Sequence, residues 1–246
     1  MNPVLILTRN CLELTKRCVE SLRNQDVPVK IHIYDNESSD GTKNWLNEIW
    51  HDDDTDIIDQ SSGVDLGVSA GWNFCLDNIF LTGDQWDVGW KADHVLVVNN
   101  DTYLPPWFYS SLLSYDVPFV TGVSCDSMDG IRAPEPRKEL RECPDFSAFL
   151  IRRDCWEKVG RFDESMVHYA SDMDYHIRAH RLGVPLMNAG VNFYHERSST
   201  IKKSSPQERR AIEAQADRDR AAFRTKYGFG ANDPQYEEVF KEPLVG

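Results

Sequence analysis

The chain is poor in positive charge, and that shortage removes whole classes of partner. Lys and Arg total 27 of 246 residues against 40 Asp and Glu, giving a formal net charge of −13 and a pI near 4.9. Such a surface repels nucleic acid and anionic membranes, so neither is an expected partner. Long apolar runs are missing as well. Nothing approaches the roughly 20 residues of a spanning helix, so no integral membrane segment is expected. No basic segment leads into an apolar stretch at the N-terminus, and no secretory signal is read there. The six cysteines, Cys11, Cys18, Cys75, Cys125, Cys143 and Cys155, contain no Cys-x-x-Cys pair and no zinc-type spacing. Scattered cysteines without a signal argue for reduced, structural thiols and a cytoplasmic location. The dinucleotide and P-loop glycine patterns are absent, as are internal repeats and any linker clean enough to divide the chain. The length fits one large domain or two small ones.

What is present is strand and helix in alternation. Val4–Leu7 reads as a buried strand closed by Thr8, Arg9 and Asn10, and residues 12–24 carry Leu12, Cys18, Val19 and Leu22 at near-helical spacing. Ile31–Tyr34 forms a second strand that ends in the turn-rich Asp35–Gly41. A helix then runs through Trp45, Leu46 and Ile49. Asp52–Asp56 reads as a solvated acidic loop, Ile57 and Ile58 as a short strand, and Gly63–Gly71 as a glycine-rich loop entering a helix. The alternation predicts a mostly parallel sheet with right-handed crossovers. Further on, a helix is expected from Pro105 and Pro106, and strands over 119–123, 146–151 and 191–194. Short helix 153–159 ends at Gly160. Ser124–Pro144 is long and irregular, a size that in a compact domain signals function or disorder. Ser171 is expected to cap the helix 171–182, with Asp174 completing a capping box. Residues 206–227 are helical and charged, and a loosely held tail follows.

The chain is organised around His94–Leu104. Val95, Leu96, Val97 and Val98 run straight into Asn99, Asn100 and Asp101. A short apolar run reads as a strand buried on both faces, so the polar trio lies at its exit, the edge where open α/β sheets bind ligands. A carboxylate and two amides there suit a hard cation such as Mg²⁺ or Mn²⁺ that keeps positions for substrate phosphates. The same trio also suits a plain Asn/Asp turn.

Four polar clusters therefore fall at strand exits or helix starts: Asp35, Asn99–Asp101, Asp172–Asp174 and His195. With Leu7–Asn10, Tyr34–Thr42, Leu66–Gly67, Gly71–Asn73, Ala148–Arg153, Gly160–Glu164 and Phe223–Gly228 around them, the chain resembles the family-two glycosyltransferases of the GT-A fold, over nearly its whole length. Asn99-x-Asp101, in place of the usual Asp-x-Asp, is similar to the rhamnosyltransferase type. The resemblance implies a Rossmann-like α/β fold with a mixed, mainly parallel central sheet flanked by helices. A glycosyltransferase domain would span 1–203, its nucleotide-binding half about 1–104 and its acceptor-binding half about 105–203. A C-terminal helix and tail would form 204–246.

The implied activity is metal-dependent, inverting transfer of a hexosyl or deoxyhexosyl group. The sugar passes from a nucleoside diphosphate sugar to a hydroxyl on a glycan, protein or small molecule, with Mn²⁺ or Mg²⁺ as cofactor. Asp35 resembles the residue that receives base or ribose, with Thr8, Asn10, Asp65, Asn73, Asn99 and Asn100 lining the donor pocket. Asp101 and His195 resemble the metal ligands. Asp172 resembles the general base, although Ser171 stands where the family has Glu. Asp174, Arg197, Ser199 and Lys202 are expected at the acceptor or diphosphate. Simpler roles remain open: Asp172 and Asp174 also favour a helix N-terminus electrostatically, and Arg197, Lys202 and Lys203 also suit a solvated loop. Trp107, Phe146, Phe149, Phe162 and Tyr169 read as core by default. The rival functions are a catalytically silent nucleotide-sugar-binding module, kept open by Ser171 and Asn99, and a nucleotidyltransferase of similar fold.

Overall fold

The computed structural model describes residues 1–49, 55–58, 64–82, 92–133, 140–197 and 204–241. An eight-stranded sheet runs in the order β3-β2-β1-β4-β7-β6-β8-β5, with strands β1 (Asn2–Thr8), β2 (Val29–Asp35), β3 (Thr55–Ile58), β4 (His94–Asn99), β5 (Thr102–Tyr103), β6 (Phe119–Cys125), β7 (Ala148–Arg152) and β8 (Leu186–His195). Pairings β1–β2, β2–β3, β1–β4 and β6–β8 are parallel. β7 runs antiparallel to both β4 and β6. The sheet is therefore mixed and mainly parallel, as expected, and the carboxyl ends of β1, β2, β4, β6 and β8 share one edge.

Burial on both faces explains the unbroken apolar runs. Successive side chains of a strand point to opposite faces. Val95 and Val97 therefore join one core with Trp72, Leu76, Phe119, Phe149, Trp156 and Tyr175, under helices α3 (Gly67–Asp77), α5 (Arg153–Val159) and α6 (Ser171–Arg181). Leu96 and Val98 join the other with Cys18, Leu22, Leu46, Phe108 and Leu112, under α1 (Leu12–Arg23), α2 (Thr42–Ile49) and α4 (Phe108–Leu113). Each fully buried Leu, Val or Phe contributes about 1.5–3 kcal/mol of transfer free energy. Cys11, Cys18, Cys75 and Cys155 are buried free thiols, while Cys125 is half-buried and Cys143 exposed.

A third, smaller cluster joins the C-terminal arm, α7 (Pro206–Tyr227) and α8 (Pro234–Val239), to α6 through Met166, Ala170, Ile177 and Phe223. α7 opens on a full capping box at Ser205 and Glu208 and closes on Gly228 in the left-handed region, where glycine carries no Cβ penalty.

Several local expectations differ from the structure. β8 is longer than the four residues expected. Its first half, Leu186–Gly190, interrupted by Asn188 and ended by Gly190, is held as strand by pairing with β6. α4 starts at Phe108 rather than at the prolines, with the Phe108 N–H donating to Pro105 O. The irregular stretch is shorter, because β6 runs to Cys125 and a 3-10 turn occupies Met128–Gly130. Residues 55–56 of the acidic run begin β3, and 52–54 lie outside the described residues. Ser171 does not cap α6. Ala170, in the left-handed region, holds the cap position, and Ser171 is the first helical residue, buried. The tail is also not loose through residue 240. The Tyr236 hydroxyl bonds to His176 Nδ1 at 2.9 Å, and Phe240 stacks on the His176 ring at 3.9 Å.

Candidate active site

Short polar side chains at the shared strand edge set the first part of the site. β1 ends at Thr8, paired with Asp35 at the end of β2, and Leu7 pairs with Asn99. Asn100 Nδ2 then donates to Thr8 Oγ1 at 2.9 Å, to Thr15 Oγ1 at 3.0 Å and to the Asn10 carbonyl at 3.2 Å. These bonds pin the turn after β4, and the Thr102 hydroxyl closes it on the Asn99 carbonyl at 2.8 Å.

β5 accounts for the juxtaposition that matters most. Its two residues pair antiparallel with the end of β8, Thr102 against His195, and the Glu196 N–H donates to the Asp101 carbonyl at 3.0 Å. Residues distant in sequence thereby meet, with His195 Nε2 3.1 Å from Asp101 Oδ1. Neighbouring corners of an octahedron with arms of about 2.1 Å lie about 3 Å apart, so an imidazole nitrogen and a carboxylate oxygen at this spacing fit two positions on a divalent cation. Among the described residues no group of three His, Cys, Asp or Glu side chains gathers as a closed metal site. Two protein ligands and open positions are what a cation shared with substrate phosphates requires.

A cavity of about 320 Å³ opens beside this pair, lined by Thr8, Arg9, Asn36, Asp65, Asn99, Asn100, Asp101, His168, Tyr169, His195 and Ile212 among others. Asp65 is built in on both oxygens: Oδ1 accepts from Asn36 Nδ2 at 2.8 Å and the Gly67 N–H at 2.9 Å, and Oδ2 pairs with Arg9 Nη1 at 2.9 Å. A second cavity of about 510 Å³ is lined by Trp72, Ser124, Asp145, Phe146, Ser147, Ser171, Asp172, Asn188 and Arg197, and shares Val68, Asn99 and His168 with the first.

Asp172 stands at the first turn of α6, half-buried, and its Oδ1 accepts the Met173 N–H at 2.9 Å. Burial pushes its carboxyl above the ordinary range, against the Met173 hydrogen bond, which pulls it down. The helix N-terminus favours the ionised form. A carboxylate whose pKa is raised in this way is a stronger proton acceptor than a solvated one. Asp145, the other acid here, is pinned by amides, its oxygens accepting Ser124 N–H and Ser147 N–H at 3.0 Å each.

Thr8, Asp65, Asn99, Asn100, Asp101 and His195 thus meet in one cavity, and Asp172 and Arg197 in the adjoining one. Arg197 Nη2 donates to Ser124 Oγ, and its Nε pairs with Asp126. Four expected contacts are placed elsewhere. Asn10, in the left-handed region, accepts the Ser39 N–H at 2.7 Å and braces the loop after β2. Asp35 is 2% exposed and lines neither cavity. Its carboxylate turns back to the Ser38 amide, and burial pushes its pKa up. Asn73 is fully buried and clamps Phe162 through both its N–H and its carbonyl. Asp174 is also fully buried. It receives Arg178 Nε at 2.8 Å and the Tyr227 hydroxyl at 2.7 Å, and so ties α6 to α7 rather than facing substrate. Ser199 and Lys202 lie outside the described residues.

Arg9, Asn36, His168, Tyr169 and Ile212 were not expected in the site. Asn36 stands inside the turn motif after β2, next to the acid that drew attention. His168 and Ile212 carry no local signal, since both reach the cavity through α7. Asp219, on α7 and fully buried, accepts the successive N–H groups of Val167, His168 and Tyr169 at 3.1, 2.9 and 3.0 Å.

Solved structures share this architecture. A mannosyltransferase from Pyrobaculum calidifontis, in complex with GDP-Man and Mn²⁺, superposes with a TM-score of 0.62 at 14% identity, covering 97% of this chain and 67% of that one. Residues 1–349 of S. aureus TarS superpose at 0.58 with 12% identity, covering 98% and 78%. The same TarS fragment in complex with UDP-GlcNAc gives 0.57 at 12% identity, with the same coverage. The fold is that of the GT-A glycosyltransferases. The family model for glycosyl transferase family 2 matches residues 4–166, more than half of the chain, and the chain belongs to that family. No curated protein matches it significantly. The matched segment holds Asp65 and Asn99–Asp101 and ends before Asp172 and His195.

Proposed function

We propose that this glycosyltransferase is divalent-cation-dependent and inverting, moving a sugar from a nucleoside diphosphate sugar to an acceptor hydroxyl. The observation that carries the reading is the junction: the cavity of Asp101 and His195 meets the cavity of Asp172 along Val68, Asn99 and His168. The donor diphosphate lies against the Asp101–His195 pair, with the Arg9 guanidinium at the same wall. Asp101 and His195 would hold a Mn²⁺ or Mg²⁺ there, whose charge would offset the charge that develops on the leaving nucleotide diphosphate. The Mn²⁺ of the mannosyltransferase complex and the nucleotide sugars of both neighbours support this donor class.

The acceptor enters the larger cavity. Its hydroxyl oxygen attacks the anomeric carbon, the bond from that carbon to the phosphate oxygen breaks, and the hydroxyl proton passes to Asp172. Attack from the face opposite the leaving group inverts the anomeric centre. With Asp145 held by two amides, Asp172 is the carboxylate left to act as base. Among the described residues no helix is long and apolar enough to cross a membrane, and the reading places the acceptor hydroxyl on a molecule that reaches the open cavity from solvent.

The test is a thermal-shift panel of nucleotide sugars with and without Mn²⁺, followed by an assay of nucleotide release with acceptor present. Stabilisation that needs Mn²⁺, with release that Asp172→Asn abolishes while stabilisation persists, is the expected result. Absence of stabilisation by every donor would overturn the reading.

A further inference from the structure

We infer that His168 reads the sugar being transferred, presenting its imidazole to the carbohydrate hydroxyls at the junction of the two cavities. The inference rests on the donor and acceptor assignment above and adds a specificity-determining residue to it. The sugar is the part of the donor that changes partners, so it must lie where the two cavities meet. Val68, Asn99 and His168 are the residues common to both linings. Val68 offers only methyl groups, and Asn99 ends the strand that carries the metal turn. His168 alone of the three brings a ring with one donor and one acceptor nitrogen when neutral. Burial pushes its pKa below the ordinary value, Arg9 acts in the same direction, and the charges of Asp65 and Asp219 oppose them. A neutral imidazole suits neutral hydroxyls and gives little to a diphosphate.

The segment carrying His168 is held on three sides. Its own N–H and those of Val167 and Tyr169 go to Asp219. The Val167 carbonyl accepts the Val68 and Ser69 N–H groups at 2.9 and 3.2 Å. Gly67 is in the left-handed region, and a Cβ there would meet Val167 Cγ1 at 2.2 Å and His168 Cε1 at 3.4 Å. This close approach is open only to glycine, and it sets the imidazole against the start of α3. A ring fixed by its backbone in this way, between two cavities, is preorganised to discriminate.

The test is calorimetric titration, with Mn²⁺, of UDP, GDP and dTDP and of UDP-glucose, UDP-GlcNAc, GDP-mannose and dTDP-rhamnose. His168→Ala should weaken the tightest-binding nucleotide sugar about tenfold, the loss of one well-placed hydrogen bond. It should leave the matching bare nucleotide within about twofold, and His168→Gln should recover part of the loss. A melting curve for each variant reports folding. Equal weakening of nucleotide and nucleotide sugar, or of neither, would overturn the inference while leaving the donor assignment standing. If the wild-type protein binds none of the seven compounds, the donor assignment fails, and the role of His168 fails with it.

Discussion

Replacing Asp219 by Asn probes the bond set on which the site depends. The carboxylate is fully buried and accepts three successive backbone N–H groups and, at 2.6 Å, the Gln215 side-chain amide. Hydrogen bonds to a charged group are worth about 1.5–3 kcal/mol each. Asparagine keeps one carbonyl oxygen, but it turns an N–H toward donors that need an acceptor. At least two of the four bonds are lost, and the orphaned amides are buried. The cost is about 3–6 kcal/mol, which for a chain of this size lowers Tm by about 6 °C or more. Urea unfolding followed by circular dichroism measures the loss, and hydrogen exchange locates it, because the amides of 167–169 should lose protection first. Tyr227→Phe, which removes the hydroxyl bond from α7 to Asp174 and leaves the Lys226 ion pair to the same carboxylate, serves as the control, with a loss of about 1–3 kcal/mol and no change in exchange at 167–169. A stability loss under about 1 kcal/mol for Asp219→Asn would refute the reasoning that the clamp is strong.

Three further outcomes are expected. Asp101→Ala should abolish the Mn²⁺ dependence of nucleotide binding in a calorimetric titration, and unchanged metal-dependent binding would remove Asp101 from the cation site. Because burial raises the Asp172 pKa and the base works ionised, transfer should fall as pH drops through that raised value. The acid limb of kcat/KM should therefore lie above the ordinary carboxylate value of about 3.9; a limb at or below it would contradict the assignment. Gly67→Ala forces a side chain into the left-handed region against Val167 Cγ1. The backbone penalty of about 1–2 kcal/mol and overpacking of about 1–3 kcal/mol should lower unfolding stability by about 3 kcal/mol, and a loss under about 1 kcal/mol in urea would argue against that packing.

Much of the frame could be read from sequence because it is local. The run Val95–Val98 is apolar on every residue because both faces of β4 are covered, and its polar exit follows at once. The ends of α5 and α7 are marked by Gly160 and Gly228. Other features depend on distant partners. β5 is too short to carry a pattern and exists because β8 passes beside it. The first half of β8, Leu186–Gly190, carries no clear alternation and includes a glycine, and it is made a strand by β6. Within the site, residue type predicted polarity better than orientation. Asn73 and Asp174 have the chemistry of ligands, but they point into the scaffold, where Asn73 bonds to Phe162 and Glu164, and Asp174 to Arg178, Tyr227 and Lys226. His168 gave no signal because its place depends on a carboxylate fifty-one residues later.

The clamp from α7 also bears on how the protein is made. The strands and the residues proposed for the cation and the base, Asp101, His195 and Asp172, are all translated before Asp219 leaves the ribosome. A nascent chain stopped short of that residue would contain them but would lack the carboxylate that holds the N–H groups of residues 167–169. That wall of the cavities is therefore completed late in synthesis, with the arm rather than with the sheet.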